Sequence, residues 1–318
     1  MNKNTEIDSI KNGLLILDID KVDYSLQEWE KNGVNVDLSL KKCNIFLRAI
    51  RRFWVKFHLP FQSIWYGEWK KHLSEYHTIL LHGSWLVEGI PHWIRKKAKK
   101  SNSELRIIWW YWNRVVNIDH PDKISDDDCE KWSFDQMNCK KYNMNFNTQY
   151  YFRSLKIPEH SSIKSDIYYL GSDGGRLPML MGIYQQLEQM NLKADYNILT
   201  TKHTMYHDKY PNCFIENKIE YKENLRHIGE CKAILEIIRE DQSGQTLRPL
   251  EALFHQKKLI TNDGNIDSMV YYHPDNIFIL GKNDIDQLPE FLEKPYHPIP
   301  QHIIDIYESK AWLERFFV

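Results

Sequence analysis

The sequence predicts an α/β protein made of two Rossmann-like domains, and three observations carry that prediction. With 318 residues the chain is long enough for two domains of ordinary size. In the first half, short apolar runs at residues 13–18, 78–81 and 105–110 suit strands buried on both faces of a parallel sheet. In the second half, strand-like runs at 165–170, 196–200, 213–215, 233–237, 258–261 and 276–280 alternate with helical spacing, the mark of a parallel sheet with crossover helices. Such domains bind ligands at the carboxyl ends of their strands, so the loops after strands are where chemistry is expected.

Taken in order, the first run ends in Asp18-Ile19-Asp20. The run at 78–81 is followed by His82, with Glu88 a little further on. Residues 119–128 are acidic and loop-like, and 156–165, with Pro158, His160 and several serines, reads as a linker. After the strand at 165–170 comes the turn GSDGGR (171–176), then a helix with Pro178 in its first turn and Leu180, Ile183, Leu187 and Met190 on one face. A strand ends near Ile238, a polar loop follows, and a helix starts at residues 244–246 with Leu247, Leu250 and Phe254 as its apolar stripe. A last helix is expected over 301–317. The expected domains are 1–155, 156–297 and a C-terminal helix within 298–318 that packs back on the N-domain.

Composition narrows the function. Hydrophobic residues make up 42% and charged residues 27%, and the formal net charge is −1, so no global field points to nucleic acid. The five cysteines are scattered, with no CxxC pair and no zinc spacing, which fits reduced thiols. The N-terminus is polar and the apolar run after it is too short for a signal peptide or a membrane span. A cytoplasmic protein is expected.

The stretch 233–262, AILEIIREDQSGQTLRPLEALFHQKKLITN, is the most informative. A helix N-terminus offers free N–H groups and a positive dipole end, which suits a diphosphate. Gly244 permits close backbone approach, Gln245 and Thr246 stand at the helix start, and Arg248 is spaced to meet phosphate charge. Glu251, one turn on, can accept hydrogen bonds from ribose hydroxyls. The same residues also fit an ordinary capped helix with Arg248 and Glu251 as an i,i+3 ion pair.

The order strand, polar loop, G-x-T-x-R-x-x-E-A-L, then K-K-L-I-T-N resembles the C-terminal domain of GT-B glycosyltransferases from bacterial capsule, O-antigen and lipopolysaccharide clusters. WYWN (110–113), SFDQMNCKKYNMNF (133–146) with Tyr150–Tyr151 after it, YYLGSDGGR (168–176) and NIFIL (276–280) agree with it. The resemblance implies a GT-B-like fold, with a cleft between the two domains and a C-terminal helix crossing back. It implies a nucleotide-sugar donor, UDP- or GDP-linked, and a glycan or lipid-linked glycan acceptor, with no metal or other cofactor required. Asp173 and Arg176 would then lie at the donor site, Lys202 would meet the diphosphate, and Tyr221 would contact the base. All four also fit as polar loop residues. The chain departs from the E-x7-E pattern of retaining GT-B enzymes, because Ser243 stands where the first glutamate would. Retention of configuration is therefore in doubt.

Asp18 and Asp20 support rival readings. As a DxD they match the metal signature of GT-A glycosyltransferases, but seventeen residues cannot supply the nucleotide-binding subdomain that precedes it there. LLILDIDKV also fits the start of haloacid-dehalogenase-type phosphatases, with Asp18 as nucleophile, Asp20 as acid/base, and Asp263 and Asp267 downstream as Mg²⁺ ligands. A non-catalytic glycan-binding protein is a third class. In the glycosyltransferase reading, Asp18 or Asp20 would be the base for an acceptor hydroxyl, with His82 and Glu88 competing for that role.

Residues 41–57 hold six bases and no acid: Lys41, Lys42, Arg48, Arg51, Arg52 and Lys56. Phe46, Ile50, Phe53 and Phe57 recur at helical spacing on the opposite side from Arg48, Arg51, Arg52 and Lys56. A basic amphipathic helix of this kind can lie on an anionic membrane, here the inner face of the cytoplasmic membrane, or can face its stripe to the N-domain core.

Overall fold

The protein was analysed as a computed structural model that describes residues 11–18, 24–101, 104–113, 115, 119–200, 202–239 and 244–318. It contains two compact units, unit 1 of Met1–Thr148 with Glu314–Val318, and unit 2 of Gln149–Leu313. Each is built on a six-stranded, wholly parallel sheet.

In unit 1 the strands β1 (Leu14–Asp18), β2 (Asn35–Leu38), β3 (Thr78–His82), β4 (Arg106–Tyr111), β5 (Glu130–Ser133) and β6 (Asn145–Phe146) lie in the order β2-β1-β3-β4-β5-β6. The helices are α1 (Tyr24–Lys31), α2 (Ile45–Lys56), α3 (Gly89–Ser101) and α4 (Gln136–Tyr142). β1 and β3 are buried along their whole length, as a strand covered on both faces must be. On β4, Trp109 joins the cluster of Ile79, Ile94 and Ile107, while Trp110 packs edge-on against Phe316 from the chain end. Arg106 fixes that end by donating to the Phe316 carbonyl while gripping Glu130 with two 2.6 Å bonds.

Unit 2 contains β7 (Ser165–Ser172), β8 (Ala194–Leu199), β9 (Phe214–Ile215), β10 (Cys231–Glu236), β11 (Lys258–Thr261) and β12 (Ile277–Ile279), in the order β12-β11-β10-β7-β8-β9. Counted within the unit this is 3-2-1-4-5-6, the dinucleotide-binding order, with its switch point between β7 and β10. The helices are α5 (Leu177–Gln189), α6 (Met205–Lys209), α7 (Tyr221–Gly229), α8 (Leu247–Phe254), α9 (Leu288–Glu293), α10 (Gln301–Ile306) and α11 (Ser309–Glu314). Successive strand residues feed two cores. Tyr169, Leu235 and Ile260 meet Leu180 and Leu187 of α5 on one face, while Tyr168, Ile234 and Leu259 meet Ile228 and Leu250 on the other. Each such aliphatic side chain, fully buried, contributes roughly 1.5–3 kcal/mol.

Three differences from the sequence reading have local causes. The units divide between Thr148 and Gln149, so 156–165 lies within unit 2. Tyr151 and Phe152 are already buried there, and Tyr150 stacks on Trp312 at 4.1 Å. The helix expected over 301–317 is two helices, α10 and α11. Tyr151 takes the backbone of 307–309 as a partner, accepting from Ser309 N–H and donating to the Tyr307 carbonyl, which breaks the helical ladder. Strands β2, β5 and β6 were not foreseen. Among the described residues no helix is long and apolar enough to cross a membrane.

Candidate functional site

Order reverses in unit 1 between β1 and β3, and ligands of open α/β sheets gather at the carboxyl ends of such strands. Asp18 ends β1 and His82 ends β3, 64 residues apart in sequence. Their side chains meet, with His82 Nδ1 2.8 Å from Asp18 Oδ2, and both residues are only 4% exposed. A carboxylate can only accept, so Nδ1 is the donor, and in the neutral imidazole Nε2 then carries the lone pair. Nε2 is buried and has no hydrogen-bond partner among the described residues. The two candidate bases are thus one pair, in which Asp18 orients and His82 offers the basic nitrogen. Gly83 keeps the loop tight: a Cβ there would stand 2.5 Å from the Trp109 indole. Asp20 falls outside the described residues.

Glu88, the third candidate base, sits beside Asp119, which the sequence did not single out. Asp119 accepts from the N–H groups of Val87 and Glu88 at 3.1 Å each, tying the acidic loop to the loop before α3. Burial, with Glu88 alongside, pushes the Asp119 carboxyl up to about 7.

In unit 2 the loops after β7 and β10 flank the switch point. Gly174 and Gly175 have φ of +53° and +85°, a turn that only glycines adopt without strain. Asp173 closes this turn, its Oδ1 accepting from the N–H groups of Gly175 and Leu177 at the start of α5. Arg176 spans both loops, donating to the carbonyls of Asp173, Ser172 and Ile237, and forms no ion pair among the described residues. Arg239, missed in the sequence, lies on Gly174 so closely that a Cβ would come within 2.2 Å of its Nη2, and it too forms no ion pair among the described residues. Two guanidiniums that form no ion pair among the described residues therefore stand where α5 begins, beside the turn that Asp173 closes, an edge suited to a diphosphate. Lys202 is exposed beyond β8.

The α8 residues are held by partners within unit 2. Glu251 is 0% exposed. Its Oε1 accepts from Tyr221 Oη at 2.9 Å and Asn224 Nδ2 at 2.8 Å, and its Oε2 accepts from Arg248. Arg248 also donates to the Leu170 carbonyl. Burial works against the Arg248 cation, yet Glu251 beside it raises its pKa above the ordinary value. The i,i+3 ion pair is the arrangement present, and Tyr221 belongs to the same network. Thr246 caps α8, accepting from Arg248 N–H at 3.2 Å, and its hydroxyl donates to Glu236. Glu236, at the end of β10, also accepts from Thr261 Oγ1 at 2.7 Å, and burial raises its pKa. Gln245 donates to Tyr271 Oη at 2.7 Å, and Gly244 is buried beside it. Ser243 falls outside the described residues.

Among the described residues no group of three or more His, Cys, Asp or Glu is arranged to hold a metal ion. Of the aspartates of the phosphatase reading, Asp18 ends β1 in unit 1, Asp263 caps a turn in unit 2 and Asp267 pairs with Lys282 at 2.6 Å.

No protein-family model matches the chain, and no curated protein matches its sequence. Solved structures do. A sucrose-phosphate synthase from Thermosynechococcus elongatus superposes with a TM-score of 0.58 at 9% identity, over 96% of this chain and 97% of that one. AviGT4, a glycosyltransferase involved in avilamycin A biosynthesis, gives 0.55 at 8% identity, over 96% and 95%. Identity this low speaks for the fold alone. With two parallel six-stranded sheets matched over nearly its whole length, the chain has the α/β architecture of GT-B glycosyltransferases.

Proposed function

We propose that the protein is a glycosyltransferase that moves a sugar from a UDP- or GDP-linked donor to a glycan or lipid-linked glycan, in the biosynthesis of a bacterial surface polysaccharide such as capsule, O-antigen or lipopolysaccharide. The observation that carries the reading is the buried Asp18–His82 pair at the switch point of unit 1, with one imidazole nitrogen held and the other without a partner among the described residues. In the transfer, the acceptor hydroxyl gives its proton to His82 Nε2. Its oxygen bonds to the anomeric carbon, and the bond from that carbon to the diphosphate breaks, its electron pair leaving with the nucleoside diphosphate. A direct displacement of this kind inverts configuration. Arg176 and Arg239 at the edge of unit 2, with the start of α5, would stabilise the departing charge in place of a metal.

The cytoplasmic face of a membrane is the proposed working place. On α2, Phe46 is 72% and Phe53 57% exposed, Phe57 is exposed beside Phe53, and only Val55 of the helix is buried. The aromatic stripe does not face the core of unit 1, and an exposed stripe of this kind enters the interface of an anionic bilayer. A thermal-shift screen against UDP, GDP, CMP and dTDP tests the donor assignment. UDP or GDP should stabilise the protein, and Arg239→Gln should weaken that ligand about tenfold, the scale of one charge-assisted hydrogen bond. Unchanged affinity in folded Arg239→Gln and Arg176→Gln variants would move the donor elsewhere.

A further inference from the structure

Arg48, Arg51, Arg52 and Lys56, all from α2, line a cavity of about 980 Å³ in unit 1. Lys41 and Lys42 line it from a loop and Lys123 from the short 3-10 helix Pro121–Lys123, and Glu88 and Asp119 are its acids. The cations are poorly matched by counter-charge. Lys41 reaches Glu68 at 3.6 Å, and none of the other six forms an ion pair among the described residues. Arg51 donates to the Lys41 carbonyl at 2.9 Å, but its Nε is buried with no partner. Burial first, then Arg48 and Arg52, lowers the Arg51 pKa, as expected of a cation crowded by its own kind. Asp119 is turned inward, onto the N–H groups of Val87 and Glu88, and offers the cavity little negative charge.

Like charges gathered in a partly enclosed space cost free energy when it is empty, and a multivalent anion relieves them all at once. A single carboxylate would occupy one guanidinium fork. Three arginines at positions 48, 51 and 52 with four lysines match the several oxygens and charges of a phosphoryl or diphosphoryl group. The volume is at the upper end of the ~300–1,000 Å³ of ligand pockets, so sugar residues fit beside the anion. A nucleic acid would want an open basic stripe, whereas these charges converge on a pocket in a chain of net charge −1. We infer that this cavity, lined by unit 1 residues, binds a phosphoryl or diphosphoryl group carried by the acceptor. Naming the acceptor as its source rests on the glycosyltransferase reading; the anion site itself does not.

The test uses the full chain with inorganic pyrophosphate as probe, by calorimetry, on the unmodified protein and on Arg48→Gln/Arg52→Gln. Both side chains are exposed, and Lys42→Gln/Lys123→Gln provides a second pair outside α2 should the first disturb folding. Pyrophosphate affinity should fall about tenfold or more in either pair, with UDP and GDP affinity held within about twofold. Unchanged pyrophosphate affinity in both pairs, or a loss seen only in Arg176→Gln, would overturn the site. Competition by a soluble sugar 1-phosphate supports an acceptor phosphoryl group. Binding of phosphatidylglycerol vesicles through the same residues, with no competition by sugar phosphates, would assign the cations to lipid headgroups and overturn the acceptor assignment. Pyrophosphate binding of the expected pattern without sugar transfer from any donor would remove the glycosyltransferase reading and leave the anion site standing.

Discussion

Replacing Asp18 by Asn tests whether the buried pair in unit 1 acts as one catalytic unit. The substitution keeps size and shape but removes the charge 2.8 Å from His82 Nδ1. When Nε2 takes a proton, the imidazole becomes a cation in a place where both residues are 4% exposed, so little water screens it. A hydrogen bond to a charged partner is worth about 1.5–3 kcal/mol. Lost only in the transition state, that is roughly a ten- to hundredfold fall in kcat. Removing the base itself, His82→Ala, should cost ~10²–10⁴. Because Asp18 acts through His82, the double variant should be no slower than His82→Ala alone, a strong departure from additivity. The assay is sugar transfer at saturating donor, with nucleotide affinity measured separately by calorimetry and expected to stay unchanged. Full turnover in folded Asp18→Asn, or independent costs that multiply in the double variant, would refute the pairing.

Three further outcomes follow from the same structure. Arg248→Ala strips the partner from a carboxylate with no exposure; an uncompensated buried charge costs ~3–5 kcal/mol, so Tm should fall by roughly 6–20 °C in calorimetric scans, and an unchanged Tm would show that Glu251 does not depend on Arg248. Asp119 has a folded pKa of about 7 against an ordinary 3.8, so the folded state holds a proton that the unfolded state has given up. Its stabilising contribution is complete below pH ~4 and is lost as pH rises through about 7. Denaturant melts of Asp119→Asn should lack that decline, and an identical pH dependence in both proteins would remove the carboxyl as its source. Phe53→Ser/Phe57→Ser should lower co-sedimentation with phosphatidylglycerol vesicles and leave UDP or GDP binding intact; undiminished sedimentation would exclude α2 as the membrane contact.

Much of the fold was legible because its strands are covered on both faces. LLILD, TILL and AILE read as buried runs and are buried. The strands that escaped notice are polar. In β5, EKWS, Glu130 is matched by Arg106 and Lys131 is buried on the carbonyls of Pro121 and Ile124, partners that no local pattern reveals. The site was legible as residues but not as pairings. Asp18 and His82 were each visible as the residue that closes a strand, yet their contact depends on β1 and β3 being neighbours in the sheet. At α8 the i,i+3 spacing already contained the Arg248–Glu251 pair, and the ribose role was the other reading of the same spacing. Arg239 left no trace in spacing, because only the left-handed turn at Gly174 gives it a place to lie. The periodicity of α2 showed two faces and could not show that the apolar one is exposed while the basic one lines a cavity.

Sugar transfer itself is the most direct measurement. The full chain is incubated with UDP- and GDP-sugars and lipid-linked glycan, with and without EDTA, and both the released nucleoside diphosphate and the glycosylated acceptor are followed. A transferase working through Asp18 and His82 releases one nucleoside diphosphate per sugar transferred, is indifferent to EDTA and is slowed by Asp18→Asn. Release of inorganic phosphate that requires Mg²⁺ and is abolished by EDTA, with no sugar transferred from any donor, would contradict it.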